Sequence, residues 1–107
     1  MSAFDKREDD FERKFAHDKE LEFKVLSRRN KLLGLWAADL LGYTGDQATE
    51  YAFSVVKSEL EEEGSEDVFR KVRGDFDEAG VEQSDHQIRR QMDELLVKAK
   101  SQVMNES

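Results

Sequence analysis

The chain has 107 residues, enough for one compact domain and too few for two cores. No proline, six glycines and 39% charged against 37% hydrophobic residues describe a helix-rich chain poor in the turn residues of an all-β fold. A formal net charge of -8 argues against binding to nucleic acid or to anionic lipid surfaces.

No apolar run reaches the roughly 20 residues needed to cross a bilayer, and the opening MSAFDKREDD lacks the apolar stretch of a signal peptide. A cytoplasmic protein is expected, with no direct membrane insertion. The absence of cysteine removes disulfides and thiolate metal sites, so stability must come from packing.

Residues 1–19 stand apart. Their large apolar side chains after Met1 are Phe4, Phe11 and Phe15, set among six acids and five bases. Steps of seven and four residues put the three rings on one helical face. Ser2 is placed to cap a helix running without a breaker toward Leu21. Such a stripe is either core or a docking arm, and a short isolated helix is marginal in water.

The next helix carries Leu21, Val25, Leu32, Leu33, Trp36 and Leu40 and should end at Gly42, with Tyr43 folding back on the last turn. Its basic cluster Lys24, Arg28, Arg29 and Lys31 reads first as an exposed face paired with acids such as Glu20. The other reading is an anchor for an acidic partner or a weakly bound adenine nucleotide.

Thr44 and Gln47 have capping-box spacing and open a helix that should bury Tyr51, Ala52, Val55, Val56 and Leu60 before Gly64. Ser65 then caps a helix with Val68, Phe69, Val72 and Phe76 on one stripe, stopping at Gly80; Gly74 inside it should cost about 1 kcal/mol relative to alanine. Ser84 and Gln87 form another capping box, followed by Ile88, Met92, Leu95, Leu96, Ala99 and Val103. Residues 105–107 should fray.

Short connections between amphipathic helices favour antiparallel neighbours. The expected fold is therefore all-α, a small four-helix bundle over residues 20–104 with an N-terminal helical or flexible arm over 1–19.

Chemistry for catalysis is hard to place. No glycines fall in phosphate-loop spacing, and His17 and His86 lack further ligands at metal-binding spacing. The acidic run Glu59, Glu61, Glu62, Glu63, Glu66 and Asp67 lacks the alternation and internal glycine of a calcium loop, and reads as solvated surface. A protein-binding role without enzymatic activity, cofactor or metal is the reading these residues support.

The segment FERKFAHDKELEFKVLSRRNKLLGLWAADLLG, with EDVFRKVRGDFDEAG later, resembles the bacterial inhibitor subunit zeta of F-type ATP synthase. KFAHDKELEFK, the RRN triplet and LLGLWAA are its most specific parts, and the likeness spans essentially the whole chain. Gly74 stands where such proteins are expected to carry alanine.

The resemblance implies a four-helix bundle that is a monomer when free. Its N-terminal segment would insert between the alpha and beta subunits of the catalytic head, beside the gamma shaft, and block rotation in the hydrolytic direction. Phe4, Phe11 and Phe15 would be apolar anchors, Arg7, Glu8, Glu12 and Lys14 polar contacts, with His17 at the segment's end. A nucleotide-sensing regulatory module and a generic helical adaptor are the alternatives.

Overall fold

The computed structural model describes residues 3–59 and 66–106, with side chains from residue 8 onward. Among them are five α-helices: α1 (Ala3–His17), α2 (Lys19–Leu41), α3 (Gly45–Glu59), α4 (Glu66–Ala79) and α5 (Asp85–Glu106). The expected cap at Ser2, burial of Leu60, stop at Gly64 and cap at Ser65 lie outside the described residues.

The helix expected to run unbroken toward Leu21 is in fact two. Asp18 takes an extended conformation (φ -104°, ψ 109°), and its carboxylate accepts the N–H groups of Glu20 at 3.0 Å and Leu21 at 3.2 Å. An aspartate that caps the start of α2 cannot also continue α1, and the negative charge suits the positive end of the α2 dipole.

Helix α2 is the long central element, packed against α3 and α5, with α4 closing the other side. It ends at Gly42, whose φ of 84° only glycine adopts without strain; Tyr43 N–H returns to the Ala38 carbonyl at 2.9 Å. At the α3 start the main-chain bond from Ala48 N–H to the Thr44 carbonyl is long, at 3.5 Å. The box opening α5 forms in full: Gln87 N–H donates to Ser84 Oγ at 3.1 Å, and Ser84 N–H to Gln87 Oε1 at 2.8 Å.

Two apolar clusters follow from these stripes. The larger joins Leu33 and Ala37 of α2, Val55 of α3, Val68, Phe69, Val72 and Phe76 of α4, and Ile88, Met92 and Leu95 of α5. Trp36 meets Phe76 edge-on, with ring centroids 5.6 Å apart. Leu40, expected in this core, is more than a third exposed, and Leu41 packs there instead.

The smaller cluster joins Phe11 of α1, Val25 of α2, and Ala99 and Val103 of α5. Helix α5 continues through Asn105 and Glu106, residues expected to fray, because Glu106 is tied to α2 by Arg28 Nη2 at 2.7 Å. Ser107 lies outside the described residues.

Candidate partner-binding site

Helix α1 is joined to the rest of the chain by the capped break at Asp18 and by one apolar face. Phe11 is buried against Val25, Ala99 and Val103, and Phe15 packs half-buried beside it. These rings sit four residues apart on one side of the helix, as their spacing requires. Of the two readings of the stripe, packing against the chain's own core describes Phe11 in this structure.

Lys100 fastens the same face from above. Its Nζ lies 3.4 Å from Glu12 Oε2 and 4.4 Å from the centre of the Phe15 ring. Glu12 is 88 positions away from Lys100 along the chain, so nothing in the local pattern announces the contact. Glu8, Lys14 and His17 are exposed on the remaining sides of α1. Phe4 and Arg7 belong to α1 by their backbone, and their side chains lie outside the described residues.

The basic cluster on α2 divides. Arg28 donates to Gln102 Oε1 at 2.9 Å and pairs with Glu106 at 2.7 Å, and Lys24 approaches Glu106 at 3.9 Å. The acids that pair with this face are therefore at the end of α5, not the neighbouring Glu20. Lys31 is exposed.

Arg29 is only 4% exposed, against the expectation of an exposed face. Its Nε donates to Asn30 Oδ1 at 2.7 Å, and Asn30, itself fully buried, donates to Glu59. Arg29 Nη2 lies 4.0 Å from Glu59 Oε1, an ion pair without a hydrogen bond, and has no hydrogen-bond partner among the described residues. Burial pushes the guanidinium pKa down, while Glu59 and Asp93 oppose that shift. A buried charge held this way orders the α2–α3 contact; removing one member strands the other.

The acidic run is likewise put to structural use where it is described. Glu59 turns inward to Asn30, Glu66 meets Arg89 at 3.0 Å, and Asp67 meets Arg70 at 3.1 Å. Arg89 holds the Glu66 carboxyl below its usual pKa range. Glu61, Glu62 and Glu63 lie outside the described residues. No helix of the described residues is long and apolar enough to cross a membrane.

An all-helical body with an amphipathic N-terminal helix, set off by the cap of α2 at Asp18, suits a protein that binds partners through a helix face. The model of the ATPase inhibitor subunit zeta family matches residues 1–102, and the chain belongs to that family. The family is one of ATPase inhibitors, regulatory proteins, and membership supports an ATPase inhibitor role for this chain. A solved structure entitled "Solution NMR structure of the protein" is 46% identical, with a TM-score of 0.72, over 81% of this chain and 99% of that one. No curated protein matches the chain.

Proposed function

We infer that the chain inhibits ATP hydrolysis by an F-type ATP synthase. It does so by inserting α1 at a catalytic alpha/beta interface beside the gamma shaft, where it blocks rotation in the hydrolytic direction. The observation that carries this reading, beside family membership, is the break at Asp18: it makes α1 a separate helix on a capped joint.

Phe4, Phe11 and Phe15 are the apolar anchors of this reading, and Arg7, Glu8, Glu12, Lys14 and His17 its polar contacts. Because Phe11 and Phe15 already pack on α2 and α5, α1 must leave that seat, turning about Asp18, before those rings meet a partner. Burying a phenylalanine side chain is worth about 1.5–3 kcal/mol, so exchanging one apolar seat for another costs little net energy.

The test is hydrolysis by a purified ATPase head titrated with this protein. Saturable inhibition by the whole chain, lost on deleting residues 1–17, supports the reading. Undiminished hydrolysis at micromolar protein overturns it.

A further inference from the structure

An inhibitor held by one short helix has little binding energy to spare, and a second contact made by the body raises the helix's effective concentration at its site. Arg28 and Arg29 were the natural candidates in the sequence, but α5 and Glu59 already engage them. The basic side chains that converge elsewhere lie in the groove between α3 and α4.

That groove is lined by Ser54, Lys57 and Ser58 of α3 and Asp67, Arg70 and Lys71 of α4. Its lining carries three cations: Arg70 pairs with Asp67 and Lys71 with Asp75, each at 3.1 Å, while Lys57 has no ion pair among the described residues. Lys57 is exposed, and so is Arg70, whose side chain is 67% accessible even while paired with Asp67. Beside Lys57 on α3 stands Phe53, 62% exposed, with Lys57 Nζ 5.4 Å from its ring centre. Phe53 belongs to neither apolar cluster, so its ring contributes nothing evident to the core.

We propose that this α3–α4 groove, with Phe53 on its rim, is the surface by which the body of the inhibitor anchors on an acidic protein face of its ATPase. The proposal rests on the inhibitory reading above and adds to it the second contact. An acidic protein segment fits better than a free phosphate. Asp67 stands in the lining and opposes a small anion seated between the side chains, whereas carboxylates spread over a protein face reach the exposed Lys57 and Arg70. The exposed ring beside the cations likewise calls for an apolar side chain between the partner's carboxylates.

The experiment measures inhibition constants of the full chain on a purified ATPase head for the wild type, Lys57→Glu/Arg70→Glu, Phe53→Ser, and a control with the same charge change elsewhere, Arg90→Glu/Lys98→Glu on the exposed side of α5. Melting curves accompany each. The groove variant should bind about 10- to 100-fold more weakly and lose most of the salt dependence of the wild type, while the control shifts by less than about threefold. Phe53→Ser should weaken inhibition several-fold with an unchanged melt.

Equal inhibition by wild type and groove variant overturns the proposal, as does an equal loss in the control, which reports net charge alone. Should the double charge reversal unfold, Phe53→Ser and Lys57→Gln decide the matter: unchanged inhibition by both overturns it. A wild type that fails to inhibit removes the functional reading itself and this surface with it. Saturable sub-millimolar shifts of the Lys57 and Arg70 amides with inorganic phosphate mark a small-anion site and count against an acidic protein face.

Discussion

A Cβ placed on Gly34 would stand 2.5 Å from the Cα of Ala52. That close approach is what brings α2 and α3 together, and the obstacle is backbone, which cannot turn aside as a flexible side chain does. Alanine at Gly34 gains about 1 kcal/mol of helix propensity, but overpacking of this kind costs about 1–3 kcal/mol and forces the helices apart. Gly34→Ala should therefore lower stability in denaturant titration despite being a favourable helix substitution. A more stable variant would show that the α2–α3 contact is looser than described.

Gly74 gives the opposite expectation from the same residue type. It lies in the middle of α4, and a Cβ there would meet nothing within 4 Å. Gly74→Ala should stabilise by about 1 kcal/mol, raising the melting temperature by about 4–8 °C for a domain of this size. Inhibition should be unchanged. An unchanged or lower melting temperature would mean that α4 needs the freedom of glycine at this point.

The stripes of α4 and α5 were legible because a 3.6-residue period leaves little choice about which face is apolar. Val68, Val72 and Phe76, and Ile88, Met92 and Ala99, are all buried as their spacing requires. The break at Asp18 was not legible. One aspartate among many charges looks like surface until its carboxylate is seen on the N–H groups of Glu20 and Leu21. The exposed face expected for Arg29 failed for a related reason: its burial beside Asn30 depends on Glu59, brought in by the α3 fold-back and invisible to a local pattern. The seat of α1 was hidden too, since Lys100 and Val103 meet Glu12 and Phe11 only after the chain has turned four times.

Tyr51 sets an alkaline limit to stability. Its hydroxyl donates to Asp75 Oδ2 at 2.7 Å, an oxygen that Lys71 also reaches at 3.1 Å. Burial raises the phenol's pKa first, and the hydrogen bond and charge of Asp75 raise it further. With the folded value above the unfolded one, this contribution is complete below about pH 10, where the unfolded phenol titrates, and is lost as pH rises beyond it. Unfolding free energy should fall above about pH 10, and Tyr51→Phe should flatten that fall. An equally steep fall in the variant would assign the limit to other groups.

Arg28 and Glu106 should matter to the fold rather than to inhibition. Arg28 bridges α2 to the last turn of α5 through both Gln102 and Glu106, yet the pair is partly exposed and so worth no more than about 1 kcal/mol. Arg28→Gln should speed amide exchange at the end of α5 and leave the inhibition constant within about twofold. A large loss of inhibition without a change in exchange would restore this face as an anchor.

Deleting residues 1–17 separates the two uses of α1 most directly. Among the described residues the larger cluster contains none of α1, so the remaining chain should keep its helices and a cooperative melt. The smaller cluster does lose Phe11, and with it the cover over Val25, Ala99 and Val103. Phe11→Ala in the whole chain should reproduce most of that loss, about 1.5–3 kcal/mol at the upper bound, because among the described residues the ring is the one α1 side chain in the buried set. The drop should appear as faster exchange along α1 and the end of α5 before it appears in the global melt, since a terminal helix opens locally. Inhibition should be lost in the deletion and weakened in Phe11→Ala beyond what the same change does to Lys14→Ala, an exposed charge. If the deleted chain melts without cooperativity, α1 is a structural member of the core and its departure to a partner is too costly. If Phe11→Ala inhibits as well as the wild type, the ring serves the inhibitor's own fold and the contact with the ATPase is made by another face of α1.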